Sequence, residues 1–114
     1  MTPEEAEQRD ALFDEASGCV ALGELEEAVE FYRQCVALDT QFFEGWHALG
    51  MALMKTGHLK EAIGAGLMAT TLHPNDLLAW TALSQMYVQN HQIAEAEDAK
   101  GKARILSLGG KVVK

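Results

Sequence analysis

The chain has 114 residues, 48% of them hydrophobic, which fits one globular domain or one short array of stacked units. Seventeen acidic residues against nine basic ones give a net charge of −8, which argues against a nucleic-acid binder because phosphate contacts need clustered Lys and Arg. No segment resembles a secretory signal or reaches the roughly 18 apolar residues that span a bilayer, so we expect a soluble, cytoplasmic protein without membrane insertion.

The spacing of apolar residues and of turn-forming residues predicts six helices. Thr2 can cap the first helix, with Pro3 in its first turn and Glu5 able to reach back to the cap. Gly23 is placed to end this first helix, and Gly57 is placed to end the third. The predicted helices cover residues 3–21, 25–38, 43–55, 59–72, 77–89 and 92–107, followed by a flexible tail at 109–114.

The sequence repeats with a period of 34 residues, the separation of Gly57 from Gly23 and of Trp80 from Trp46. Each period contains two of the predicted helices, which indicates a helical hairpin. One such hairpin cannot bury both of its apolar faces, so the three hairpins are expected to stack.

The period, the hairpin and the motif residues together resemble the tetratricopeptide repeat family. The middle unit carries Trp46-x-x-Leu49-Gly50-x-x-Leu53, then Ala62 and Pro74. The resemblance implies an all-α fold, a right-handed α-solenoid of three antiparallel helix-turn-helix repeats. It places a single domain at residues 1–108, with repeats at about 9–42, 43–76 and 77–108 and an N-terminal helix extension at 1–8.

The second helix of the third unit differs from the other two where a following repeat would pack. Its stripe carries Glu97, Lys100 and Arg104, whereas the earlier units have mostly apolar or small residues there. A charged outer surface is typical of the last repeat of a solenoid, so we expect a complete three-repeat protein. Three departures from the family pattern bear on packing and termination: Gly66 and Lys100 stand where an aromatic residue is favoured, and His91 stands where Gly is favoured.

Repeats of this family usually bind partners on the concave surface, which the first helices line. In this register the exposed stripe is largely apolar and contains Met, which suits a partner's amphipathic helix or apolar peptide. The predicted groove residues are Phe13, Ser17, Val20, His47, Met51, Met54, Lys55, Thr81, Gln85 and Val88. Lys55 is the only cation among them, which argues against an acidic C-terminal tail as partner. The alternative is that Phe13, Val20 and Met54 belong to the hairpin cores.

The sequence contains no nucleophile motif or phosphate-binding glycine loop, so we predict a protein that is not an enzyme and needs no cofactor. The four histidines lack ligand partners at helical spacing, apart from the weak Glu44–His47 pair, so we predict no metal site. Cys19 and Cys35 are predicted to be buried and too far apart for a disulfide. The predicted function is therefore that of a non-catalytic adaptor or scaffold for protein–protein interaction.

The charge distribution supports an alternative, weak homo-oligomerisation. Residues 1–44 contain twelve acids and two bases, net −10, whereas residues 45–114 contain five acids and seven bases, net +2. A structural protein assembling head to tail would place the acidic first unit on a third unit that carries Lys100, Lys102 and Arg104. A small acidic chaperone, a role of some three-repeat members of the family, is a further alternative that the resemblance implies.

Overall fold

The computed structural model describes residues 1–114 and contains six α-helices and no β-strand. The helices are α1 (Pro3–Ala21), α2 (Leu25–Leu38), α3 (Phe43–Lys55), α4 (Leu59–Leu72), α5 (Leu77–Gln89) and α6 (Ile93–Ser107). The predicted bounds agree with these, except that α6 begins one residue later than expected. None of the helices has both the length and the hydropathy that crossing a membrane requires.

Local interactions fix the ends of the first helix in each repeat. The Thr2 hydroxyl accepts a hydrogen bond from the Glu5 N–H and the Glu5 carboxylate accepts one from the Thr2 N–H, so the predicted capping box is confirmed. The turns after α1, α3 and α5 each need one residue with left-handed backbone, and these are Gly23 (φ 78°), Gly57 (φ 84°) and His91 (φ 60°). His91 keeps the turn at a cost of roughly 1–2 kcal/mol, because its Cβ crowds the following carbonyl oxygen.

Three antiparallel helix pairs, α1–α2, α3–α4 and α5–α6, form the repeats, and they stack through α2–α3 and α4–α5. The predicted all-α solenoid of helix-turn-helix repeats is confirmed. The backbones of the first helices α3 and α5 also approach each other, whereas the backbones of the second helices α2, α4 and α6 show no comparable approach to one another. The array therefore curves toward the first helices, whose side we call the inner face, and opens on the side of the second helices, the outer face.

Each joint between successive repeats combines a large side chain with a small residue. At the first joint Tyr32 of α2, 4% exposed, lines the same small cavity as Ala52 of α3. At the second joint Met86 of α5, 1% exposed, packs over Gly66 of α4, its sulfur 3.0 Å from where a Cβ of residue 66 would lie. In the 34-residue period Tyr32 corresponds to Gly66 and Ala52 to Met86. The aromatic residue missing at position 66 is thus replaced by a methionine from the following repeat.

The two tryptophans make equivalent hydrogen bonds one repeat apart. The Trp46 indole N–H donates to the Thr40 carbonyl oxygen at 2.9 Å, and the Trp80 indole N–H donates to the Pro74 carbonyl oxygen at 2.8 Å. Each bond ties a first helix to the segment that precedes it, which fixes the angle at which the repeat begins.

A cluster around Arg9 holds α1 against the turn between α2 and α3. The Arg9 guanidinium donates to the Asp39 carboxylate at 2.7 Å and lies 4.6 Å from the centroid of the Phe42 ring. The Phe42 ring packs edge-on against Phe13, with a centroid separation of 5.4 Å. The cluster combines charge pairing with cation–π and aromatic contacts, so it stabilises the first joint on its N-terminal side.

The tail at 109–114 has one anchor that the sequence did not predict, the side chain of Asn75 in the turn between α4 and α5. The Asn75 amide oxygen accepts the N–H groups of Val112 and Val113, and its amide nitrogen donates to the Val113 carbonyl oxygen. The tail therefore runs back toward the second joint, and its predicted flexibility stays a prediction.

Candidate functional site

The predicted groove residues occupy matching positions on α1, α3 and α5, and the structure gives them three levels of exposure. Lys55, Thr81, Gln85 and Val88 are exposed, whereas Phe13, Ser17, Val20, His47 and Met51 are half-buried. Met54 is only 9% exposed and belongs to the core, which corrects its predicted role as a groove contact. The reason is its place in the array: Met54 is followed by a further repeat, whereas Val88, its equivalent, is not.

Phe13 lies at the edge of the inner face and not in the open. Its ring centroid is 5.5 Å from that of Tyr32 and 5.4 Å from that of Phe42. Val20 also packs against the core while lining a hollow of about 130 Å³ with Met51 and other residues of the first joint. Phe13 and Val20 therefore pack at the first joint and also border the inner face. Each is partly a core residue and partly a groove residue, the two alternatives that the sequence left open.

An aromatic stack that the sequence analysis missed lies beside His47. The His47 ring is parallel to that of Phe43, with centroids 5.9 Å apart, and the other partner of Phe43 is His73, with centroids 4.0 Å apart. Phe43 and His47 are four residues apart on one helix, so the sequence could have predicted that their rings lie close together. The sequence contains no local pattern that predicts the contact of His73, at the end of α4, with Phe43. The stack holds His47 in a defined orientation.

The hydroxyl groups of the predicted groove are partly engaged within the chain. Ser17 Oγ and Tyr32 Oη are hydrogen-bonded at 3.2 Å, and Thr81 Oγ1 donates to the Leu77 carbonyl oxygen at 3.0 Å. Gln85 and Lys55 are the exposed polar side chains that remain. The structure contains no group of three His, Cys, Asp or Glu side chains able to hold a metal ion.

The outer face contains two apolar cavities that helical periodicity did not predict. The first, of about 570 Å³, lies between α2 and α4 over Trp46 and Leu53. Arg33 and Glu61 join the two helices at this cavity by two hydrogen bonds, which lower the pKa of the Glu61 carboxyl. Gly64 also lines the cavity, and no atom lies within 4 Å of where its Cβ would be.

The second outer cavity repeats the first one period later, between α4 and α6. It has a volume of about 370 Å³ and is lined by Trp80, Leu83 and Tyr87. Lys102 crosses it, with its ammonium 4.7 Å from the Trp80 ring centroid and 2.9 Å from the Asp98 carboxylate. The cavities arise because the second helices diverge where the array curves, a consequence of stacking that helical periodicity does not reveal.

Both cysteines are buried, as predicted: Cys19 is 8% exposed, Cys35 is 0% exposed, and neither is in a disulfide. Burial raises the pKa of the Cys35 thiol from 9.0 to about 11, and it also raises the pKa of Cys19. The thiolate is the reactive form of cysteine, so both side chains serve packing and not chemistry.

We expect iodoacetamide to modify neither thiol in the native protein near neutral pH, and to modify both after denaturation, as mass spectrometry would show. Because the folded-state pKa of Cys35 is raised, the unfolded chain loses this proton first, so the contribution of Cys35 to stability falls as pH rises from 9.0 toward about 11. Cys35→Ala should flatten the decline of the melting temperature over that range. An identical decline in wild type and variant would contradict the assignment.

Two family models, each described as a tetratricopeptide repeat, match residues 10–42 and residues 43–86. No curated protein matches the chain. Among solved structures the chain is similar to MamA, with a TM-score of 0.85 and 20% identity over 90% of this chain and 60% of that one.

Two further solved structures have names that mention peptides. YrrB, "a TPR protein with an unusual peptide-binding site", gives a TM-score of 0.84 and 21% identity over 89% of this chain and 52% of that one. The second TPR of Spaghetti (RPAP3), bound to the HSP90 peptide SRMEEVD, has a TM-score of 0.82 and 21% sequence identity over 87% of this chain and 92% of that one. The chain therefore spans little more than half the length of the MamA and YrrB structures, and at these identities the likeness is one of fold.

Proposed function

This chain belongs to the tetratricopeptide repeat family, and we propose that it is a non-catalytic adaptor that binds a partner peptide or helix on its inner face. The names of YrrB and of the RPAP3 domain describe peptide binding on the same fold, which supports the general role.

The observation that carries the proposal is the continuous stripe formed by equivalent residues of three first helices. Met51 and His47 are half-buried in the middle of the stripe, and Gln85 and the 52% exposed Val88 continue it on α5. Between Val20 and Met51 it dips into the 130 Å³ hollow, which an apolar side chain of a partner could enter. Rigid helices hold these side chains in place, so binding costs little ordering entropy.

The chemistry of the stripe favours an apolar or amphipathic partner segment. Lys55 and Gln85 would orient that segment by hydrogen bonding, while Met51 adapts its shape to the side chains that it meets. A stripe three helices wide gives a contact at the small end of protein interfaces, so we expect dissociation constants on the order of micromolar.

We further propose a single domain at 1–108 with repeats at 9–42, 43–76 and 77–108. Each of these ranges contains one helical hairpin, and the added residues 1–8 lengthen α1. Action in the cytoplasm stays a prediction from the sequence.

Selection of peptides from a random displayed library tests the proposed surface. We expect Met51→Glu and Val88→Glu each to weaken binding of the selected peptides by about tenfold or more, because each variant places a charge on an apolar contact. Leu67→Glu is the matched control, since it makes the same kind of change at a 45% exposed leucine of the second outer cavity.

The three variants also separate the two faces of the molecule. Val88 is exposed, so Val88→Glu should leave the melting temperature nearly unchanged, and a loss of binding then reports on the surface alone. Peptides that bind both inner-face variants as tightly as wild type but fail on Leu67→Glu would move the site to the outer face and refute the proposal.

A further inference from the structure

The two ends of the array repeat the surfaces of its internal joints. α3 and α5 pack on the preceding repeat through positions that include Ala52 and Met86, which are 3% and 1% exposed. The equivalent residue of α1 is Gly18, which is exposed, with no atom within 4 Å of where its Cβ would lie. The N-terminal end thus presents a helix surface of the kind that is buried at both joints.

The C-terminal end presents the opposite surface, the one that receives a following repeat. Four residues of the first repeat that line the cavities at the first joint are Val20, Leu25, Ala37 and Thr40. Two periods later stand Val88, Ile93, Ile105 and Leu108, which are 52%, 57%, 46% and 81% exposed. The end that the sequence predicted to be a charged cap therefore also has an exposed apolar rim.

Lys100 and Arg104 form the basic part of this end. Lys102, which the sequence analysis grouped with them, instead lies over Trp80 and pairs with Asp98 in the second outer cavity. The structure therefore corrects the predicted basic set from three residues to two.

We propose that α1 of a second copy of this chain docks on the C-terminal end, in the register of the internal joints. At the first joint Tyr32 and Ala48 line one cavity together. In the repeat period the positions equivalent to these two residues are Lys100 of one copy and Asp14 of the next, so the same register places them on opposite sides of the docked ends. The stem of Lys100 lies on Gly18 of that next copy, a long side chain against a small residue, as at both internal joints.

A second pair of positions, taken by the same rule, also places opposite charges on the two docked ends. Val36 and Leu49 line one cavity at the first joint, and their equivalents at the docked ends are Arg104 and Glu15. Asp14 and Glu15 are adjacent exposed acids of the segment 1–44, which has a net charge of −10. The register thus places both acids in the same region as both bases, and this charge complementarity selects a second copy as the occupant of this end.

Charge reversal at each end, followed by mixing, tests this docking by sedimentation velocity. One variant carries Asp14→Lys with Glu15→Lys, and the other carries Lys100→Glu with Arg104→Glu. Lys111→Glu with Lys114→Glu is the matched control for the second variant, because it makes the same change in net charge on the tail. None of these residues belongs to the proposed groove, so the failure of one proposal leaves the other standing.

We expect the wild-type mass to rise above that of the monomer with concentration, and to fall between about 0.1 M and 1 M salt as the Debye length shrinks from about 10 Å to about 3 Å. Each charge-reversed variant alone should associate about tenfold more weakly or worse, whereas an equimolar mixture of the two should regain wild-type association. The control should behave like wild type. Gly18→Arg, a change that favours the helix, should abolish association while circular dichroism shows a melting temperature at least as high as that of wild type.

Three results would overturn the proposal. The first is a wild-type protein that stays monomeric at the highest concentration in low salt, which would leave these ends to another protein or to none. The second is association that survives both charge reversals. The third is a mixture of the two variants that remains as monomeric as its components.

Discussion

Tyr32→Ala is expected to lower the free energy of unfolding by about 3–5 kcal/mol, the range found when a buried aromatic ring is removed. Tyr32 is 4% exposed and its ring packs against Phe13, so the loss opens a cavity at the first joint. Urea denaturation followed by circular dichroism measures the change. Since α1 and α2 meet the rest of the array through this joint, the m-value should also fall if the first repeat begins to unfold separately.

Tyr32→Phe is the matched control for this prediction. It keeps the ring and removes only the hydrogen bond to Ser17, which costs about 0.5–1.5 kcal/mol. Equal losses in the two variants would mean that the hydroxyl and not the ring stabilises the joint, contrary to the packing described above.

Met86→Ala is expected to lower the free energy of unfolding by about 2–5 kcal/mol. The Met86 side chain fills the space above two glycines: its Cε is 2.9 Å from where a Cβ of Gly50 would lie, and its Sδ is 3.0 Å from the corresponding position at Gly66. Glycine has no side chain that could move into the vacated space, so the cavity stays open. Met51→Ala, at a half-buried methionine of the inner face, is the control and should cost about 1 kcal/mol or less.

A double-mutant cycle tests whether Met86 takes the place of the aromatic residue that the family favours at position 66. Gly66→Phe alone should destabilise by about 1–3 kcal/mol, because even its Cβ would lie 3.1 Å from Leu83 Cδ1. Combined with Met86→Ala, the new ring can occupy the vacated space, so the double variant should be more stable than the sum of the two losses. Strict additivity would show that the two positions do not share one space.

The helices were predictable because their ends depend on local chemistry. The capping box at Thr2 and the left-handed glycines at positions 23 and 57 act within a few residues, so the sequence contains all that is needed to place them. The period then assigned each residue a position in a repeat, so that His47 and Thr81 stand at equivalent positions of α3 and α5. The turn at His91 shows that one unfavourable residue does not shift a boundary that packing on both sides supports.

For the candidate site, the sequence predicted the position of each residue within its repeat but not how exposed that residue is. Val20, Met54 and Val88 share one position of the repeat, yet they are half-buried, buried and exposed. Their exposure depends on which helix, if any, covers that end of the repeat. The two outer cavities escaped prediction for a related reason, since they depend on how far α2, α4 and α6 diverge.

The amino-acid sequence by itself determined the six helices, their pairing into three hairpins and the face on which each residue lies, because these follow from backbone geometry and from a period written into the chain. The tertiary structure alone decided that Met86 fills the gap left by Gly66, that Lys102 turns to Trp80 and away from the C-terminal end, and that Asn75 anchors the tail. Each of these contacts joins residues about 20 or more positions apart, and each depends on which side chain reaches the space between two helices.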